Sequence, residues 1–344
     1  MSNKLVSIII PCRNEEAFIY KVLQNISEQT YGAENLEVVV ADGMSTDDTT
    51  GEIERFQKNH TQLKITLIEN PEKVVPFALN KAIGMSEGEV IVRLDAHSVY
   101  PANYIERLVK ELEARPDAWN VGGCWDTQPG ADTDEAKAIV AATSHPVGIG
   151  DADYRLKSSE IRKVDTVPFG CFKREVFDKI GLFDEDLVRN QDDEFNARII
   201  ENGGSIYLIP DLQIKYYARP TIKKMAKMFF QYGYFKPLVN KKREKPATLR
   251  QFAPPILVLG ILLGWIPVLF WPPFAWVYGP ALWIYIVMLL VVAITMKAQT
   301  NSRIHIFICF VVIHFSYGWG YLRGILDFRL RSVEKKGKTV NISR

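Results

Sequence analysis

Through the first 210 residues, short aliphatic and β-branched runs alternate with stretches whose apolar side chains recur at helical spacing. Leu5–Ile10 ends at Pro11 and reads as a buried strand. Glu16–Gln29 follows, with Ile19, Val22, Leu23 and Ile26 on one helical face. Leu36–Ala41 is a second strand closing on Asp42-Gly43, and Asp47 opens a helix with acids in its first turn. Leu63–Ile68 and Glu89–Leu94 add two strands, with the helical stretch Phe77–Met85 between them. This rhythm predicts an α/β domain with a mostly parallel sheet and helices on both faces. Ligands of such sheets gather at the carboxyl ends of the strands. Here those ends read Pro11-Cys12-Arg13-Asn14-Glu15-Glu16, Asp42-Gly43 and Asp95-Ala96-His97.

The pattern then changes. From Gln251 to Met296 there is no Asp, Glu, Lys or Arg. A membrane span takes about 20 apolar residues, so this run fits two spans turning at Pro272-Pro273, and Ile304–Leu322 makes a third. The expected division is a catalytic domain over 1–220, a basic amphipathic juxtamembrane segment over 221–250, and a membrane domain over 251–344. The membrane domain has helices at 254–272, 275–296 and 304–322, then a basic tail. In Thr221–Val239, lysines 223, 224 and 227 mix with Met, Phe and Tyr, which suits a helix lying among lipid headgroups.

Charge sharpens the division. The net charge is +2, yet residues 1–210 carry 22 Lys/Arg against 36 Asp/Glu, and residues 211–344 carry 20 against 4. Lys236, Lys241, Lys242, Arg243, Lys245 and Arg250 precede the first span, which places that flank and the catalytic domain on the cytoplasmic side of a plasma (inner) membrane. Three crossings would then put Arg323, Arg329, Arg331, Lys335, Lys336 and Lys338 outside, against the same rule; a re-entrant segment and dominance by the earlier helices both remain open. The N-terminus does not read as a signal peptide. Four scattered cysteines form neither a disulfide framework nor a zinc site. A dinucleotide site would need GxGxxG after the first strand and a P-loop GxxxxGK[ST]; neither is present. That leaves acids reading a nucleoside and a metal neutralising phosphates. Asp95-x-His97 suits Mg²⁺ or Mn²⁺ on a diphosphate, although a lone Asp after a strand is more often a turn residue.

Five stretches in order carry a resemblance: SIIIPCRNEE (7–16), VVVADGMSTDDT (38–49), VIVRLDAH (90–97), PFGCFKREVFDKIGLFDED (168–186) and NQDDEFNARI (190–199). The chain resembles family 2 glycosyltransferases of the GT-A fold, a doubly wound mixed sheet, here followed by C-terminal transmembrane helices. Within the family it is most similar to bacterial exopolysaccharide glucosyltransferases of the succinoglycan type. The resemblance implies inverting transfer of a sugar, glucose first among them, from a UDP-sugar to a polyprenyl-diphosphate-linked oligosaccharide. Charging of polyprenyl phosphate itself and processive synthesis are the alternatives. Membrane lipids are expected partners and nucleic acid is not.

By the same resemblance, Pro11, Arg13, Asn14, Glu15, Asp42 and Asp95 form the nucleotide site, with Glu15 and Asp42 on the uridine. Asp95 and His97 hold the metal, His97 replacing the second acid of the commoner DxD. Gly170, Arg174 and Gln191 fall on the acceptor side. The family's ED motif aligns with Gln191-Asp192, which makes Asp192 the base that takes the acceptor hydroxyl's proton, with Asp193 as the alternative. Gln231–Phe235 stands where processive synthases carry QxxRW; without the Arg-Trp pair, one sugar is added per event. Gly320-x-x-x-Gly324 reads as a helix-packing motif. The stretch from Asp126 to Lys163 reads as a loop with room to order over the donor.

Overall fold

Four short strands rich in Val and Ile set the first half of the sheet. In the computed structural model, which describes residues 4–150, 153–155, 160–246 and 248–330, these are β1 (Val6–Cys12), β2 (Leu36–Asp42), β3 (Lys64–Glu69) and β4 (Val90–Arg93). Helices α1 (Ile19–Ser27), α2 (Thr49–Asn59) and α3 (Val75–Met85) connect them. β1 pairs in parallel with β2 and β4, and β2 with β3. β1 and β2 are buried almost throughout, which is why they read as continuous apolar runs.

Beyond β4 the sheet continues through β5 (Ser98–Val99), α4 (Tyr104–Glu113) and β6 (Ala118–Gln128). After two helices come β7 (Arg162–Lys163), β8 (Cys171–Lys173), α7 (Arg174–Ile180), α8 (Gln191–Glu201) and β9 (Ser205–Tyr217). The strand order is β3-β2-β1-β4-β8-β6-β9-β5, with β7 also on β9. β8 runs antiparallel to β4 and β6, and β9 antiparallel to β5 and β7. The sheet is therefore mixed, parallel only in its first half. One core holds α1, α2 and α4 against the inner strands. The other packs α3, α7 and α8 on the opposite face, through Ile91, Phe172, Phe177, Phe195 and Ile199.

The chain divides into two units: residues 1–127 with 152–217, and residues 128–151 with 218–344. The second unit thus takes in residues 128–151, assigned on sequence to the first domain. This stretch is not one open loop: it folds as α5 (Asp134–Thr143) and the short α6 (Pro146–Ile149). The alanine-rich face of α5 packs through Ala138, Ile139 and Ala142 into an apolar cluster with the membrane-type helices. Residues 151, 152 and 156–159 of the expected loop lie outside the described residues, as does the basic tail beyond 330.

The second unit continues as α9 (Ile222–Lys242), α10 (Ala253–Leu263), α11 (Ile266–Phe270), α12 (Ala275–Thr295) and α13 (Arg303–Ile325). Three helical stretches, Leu249–Phe270, Pro272–Thr295 and Arg303–Leu330, are long and apolar enough to cross a membrane. On α9, Lys223, Lys224 and Lys227 are exposed while Met225, Met228 and Phe229 are buried. That apolar face packs on α13 and α5, so it is not open to acyl chains as a helix lying free among headgroups would be.

Close backbone approach makes the α9–α13 packing possible. A Cβ on Gly320 would stand 2.2 Å from the Phe230 carbonyl oxygen, and one on Gly324 2.2 Å from that of Tyr234. Gly233 meets the Tyr317 carbonyl at 2.0 Å in the same sense. The GxxxG spacing and the Gln231–Phe235 stretch both serve this crossing.

Candidate active site

Strand order reverses between β1 and β4: β2 lies to one side of β1, and the chain returns to place β4 on the other. Such a switch point opens a crevice at the strands' carboxyl ends. Three sequence features converge there.

The β1 and β2 ends are stitched to each other. Asn14, in left-handed backbone at φ 53, donates its N–H to Ser45 Oγ (2.8 Å) and accepts from Thr46 N at Oδ1 (2.8 Å). Glu15 N donates to Thr49 Oγ1 at 2.8 Å. Asp42 is buried and accepts from both the N–H and the hydroxyl of Ser45. That partner was not foreseen, and it gives Asp42 a turn-forming role whatever else it binds. Pro11 pairs opposite Ala41, one residue before β1 ends at Cys12 opposite Asp42. Arg13 packs over Gly43, where a Cβ would lie 3.2 Å from its Cβ and Cδ. Its Nε is buried with no hydrogen-bond partner among the described residues. A buried unpaired donor costs about 1–3 kcal/mol, so it marks a place where a ligand acceptor would be welcome.

Across the crevice, His97 Nδ1 lies 3.3 Å from Glu15 Oε1. Glu15, expected on the nucleoside, thus faces the metal candidate. Asp95 is set by its own backbone: its N–H donates to the Tyr100 hydroxyl at 2.8 Å, and that hydroxyl points back to the Asp95 carbonyl at 3.3 Å. Burial, then the Asp95 carboxylate, push the Tyr100 phenol well above its ordinary pKa, so it stays protonated. Among the described residues no group of three or more His, Cys, Asp or Glu side chains is arranged to hold a metal. Asp95 and His97 could still hold a divalent cation as a pair, with phosphate oxygens and water completing the shell, the usual situation of Mg²⁺. The His97–Glu15 contact fits that use, because a ligating histidine commonly hands its other ring nitrogen to a carboxylate.

The third element is α8. Asn190 precedes it in left-handed backbone, and its side chain does not cap the helix. The three acids of the first turn suit the helix N-terminus but have different surroundings. Glu194 is taken by Arg198, Oε1 to Nε at 2.7 Å. Asp192 accepts from Asp193 N at 3.0 Å. It shares a helix face with Phe195 and Ile199, which bury against β4 and β8. Gln191 is buried at the start of this turn.

A chain of buried amides fixes α8. Asn196 Nδ2 donates to Thr166 Oγ1 (2.8 Å), Asn120 Nδ2 donates to Asn196 Oδ1 (2.8 Å), and Cys171 N donates to Asn120 Oδ1 (3.1 Å).

One residue the sequence reading passed over connects these parts. Arg93 ends β4 with a nearly buried side chain, and its Nη2 donates to Asp95 Oδ1 at 3.2 Å. Burial opposes its charge, but the carboxylates of Asp95 and then Asp192 outweigh that and hold the guanidinium above its ordinary pKa. Arg93 N donates to the carbonyl of Gly170, itself at φ +93, so Gly170 does reach this end of the sheet. Arg174 does not. It donates to Ile83 O in α3 and to Ser86 Oγ and Gly88 O in the turn that leads into β4. Because β8 runs antiparallel to β4, it carries Arg174 away from Asp95.

This is a GT-A fold with acidic side chains gathered at its switch point. The family model for glycosyl transferase family 2 matches residues 7–181, and the chain belongs to that family. The match ends before α8. Among curated relatives, a dolichyl N-acetyl-α-D-glucosaminyl phosphate 3-β-D-2,3-diacetamido-2,3-dideoxy-β-D-glucuronosyltransferase of Methanococcus voltae is 27% identical, covering 93% of this chain and 97% of its own. The succinoglycan biosynthesis protein ExoA of Rhizobium meliloti is 26% identical, covering 94% and 96%. Among solved structures, the mannosyltransferase PcManGT from Pyrobaculum calidifontis, in complex with GDP-Man and Mn²⁺, superposes with a TM-score of 0.59 at 22% identity, over 92% of this chain and 87% of that one. At that identity the likeness bears on the fold.

Proposed function

We propose that the protein is an inverting, metal-dependent glycosyltransferase, held in the plasma membrane by its C-terminal helices. It would move one sugar, glucose being the first to test, from a UDP-sugar to a polyprenyl-diphosphate-linked oligosaccharide on the cytoplasmic face, in exopolysaccharide assembly. The observation that carries this reading is the buried Arg93 at the end of β4, which pairs with Asp95 two residues on and is also favoured in its charged form by the carboxylate of Asp192 on α8. On this reading Asp95 serves the donor side and Asp192 is the base, both near the carboxyl end of β4. Arg13, Asn14, Asp42 and the Pro11 strand end would receive the nucleoside, with Gly170 and Gln191 toward the acceptor. Asp95 and His97 would hold Mg²⁺ or Mn²⁺, which when bound neutralises the departing diphosphate. Asp192 would accept the proton of the attacking hydroxyl. Relatives named for a dolichyl phosphate-linked sugar and for succinoglycan biosynthesis support a lipid-linked acceptor. The test is transfer of labelled sugar from a panel of sugar nucleotides to lipid-linked oligosaccharide. Label on bare polyprenyl phosphate or a polymeric product would replace this reading with another.

A further inference from the structure

We infer that Arg93 is a positioning residue shared by both halves of the reaction: one buried guanidinium that sets Asp95 on the donor side and Asp192 on the acceptor side. The inference rests on the proposed roles of those two acids.

The strand itself makes the arginine conspicuous. Val90, Ile91 and Val92 are buried and apolar, and Arg93 continues the same strand with a side chain only 9% exposed. A charge so placed is tolerated only when paired, and Asp95 supplies one partner at 3.2 Å. Strand alternation puts Arg93 on the face of Ile91, which packs in the same cluster as Phe195 and Ile199. Asp192 lies one helical turn before Phe195 on that face of α8, so packing of α8 on β4 carries Asp192 toward Arg93. The Phe169 ring lies 5.8 Å from the guanidinium carbon, and the Arg93 backbone is tied to Gly170. Arg93 Nε is buried without a hydrogen-bond partner among the described residues, so the fork retains a donor beyond its bond to Asp95.

Two carboxylates brought near one another repel, and a buried cation paired with Asp95 and attracted to Asp192 offsets that repulsion. Holding one Asp95 oxygen leaves the other oriented for a cation, in the way ligating carboxylates are commonly fixed by a neighbour. A lysine would keep the charge but not the planar fork.

The test uses the full chain in detergent, with calorimetry of UDP binding at graded Mn²⁺ and a transfer assay with its preferred donor. Arg93→Gln should raise the Mn²⁺ needed for half-maximal UDP binding about 10-fold or more and lower transfer at least 10-fold. Arg93→Lys should restore part of the metal response and less of the transfer. In an Asp192→Asn background and at saturating Mn²⁺, adding Arg93→Gln should reduce transfer by less than about threefold while still raising the Mn²⁺ requirement, because residues acting as a unit are not additive. An unchanged Mn²⁺ requirement in folded Arg93→Lys and Arg93→Gln would overturn the inference, and so would losses from Arg93→Gln and Asp192→Asn that simply multiply. If Arg93→Gln fails to fold, Arg93→Lys decides: wild-type metal response and wild-type transfer would refute the positioning role. Full activity of Asp192→Asn alone would instead refute the base assignment, leaving the metal arm to judge Arg93 with Asp95.

Discussion

Replacing the acids of the α8 first turn one at a time separates chemistry from architecture. In Asp192→Asn the amide oxygen can still accept from Asp193 N, the bond seen at 3.0 Å, and size is unchanged. What is lost is a negative charge at the helix N-terminus, about 0.3–1 kcal/mol, and the attraction to Arg93. Removal of a general base costs about 10²–10⁴ in rate, which at 1.36 kcal/mol per decade is about 3–5 kcal/mol of barrier. Transfer should therefore fall at least a hundredfold while the thermal midpoint moves by a few degrees and UDP affinity stays within about twofold. Asp193→Asn should lose less than tenfold. Glu194→Gln breaks the pair with Arg198, whose side chains are 7% and 22% exposed, and should lower thermal stability more than either neighbour. The assay is single-turnover transfer by purified full chain, with UDP calorimetry and thermal unfolding on the same samples. If Asp193→Asn is the inactive variant and Asp192→Asn the tolerated one, the assignment is wrong by one residue. If both stay active, the base lies outside α8.

Three further outcomes follow from the geometry. EDTA should abolish transfer, Mn²⁺ or Mg²⁺ should restore it, and His97→Ala should raise the metal concentration required; full activity in EDTA would remove Asp95 and His97 from the role of ligands. Asp42→Ala should weaken UDP binding by about 1–3 kcal/mol, and Ser45→Ala, which removes only the turn hydroxyl, should weaken it less; equal losses would reduce Asp42 to a turn residue. Gly320→Leu must separate α9 from α13 because the obstructing atom is backbone, at a cost of about 1–3 kcal/mol or more. Gly279→Leu, with nothing within 4 Å of an added Cβ, is the control, and equal thermal stability of the two variants would refute the close crossing.

What could be read beforehand follows from how each element is buried. β1, β2 and β4 announce themselves because their residues are buried almost throughout, and the half-buried edge strand β3 because a helix separates it from each neighbour in the chain. β5, β7 and β8 have two or three residues and carry no period to detect. The misplacement of Arg174 has the same origin, since the direction of β8 against β4 is a tertiary fact. α5 looks like loop because small alanines pack well only where a partner helix comes close, and that partner is more than a hundred residues later in the chain. In the site, acids at strand ends were legible from position alone. Arg93 was on view in the same VIVRLDAH stretch, but its weight appears only once strand alternation and the α8 face are known together.

The central claim is that this crevice transfers a single sugar from a nucleotide donor to a lipid-linked acceptor. The most direct measurement incubates the full chain in membranes with labelled UDP-glucose and other sugar nucleotides, offering polyprenyl-diphosphate-linked oligosaccharide beside bare polyprenyl phosphate. Expected is one sugar added to the oligosaccharide, with inverted anomeric configuration and dependence on a divalent metal. Absence of transfer from every sugar nucleotide, or label found only on bare polyprenyl phosphate, would contradict it.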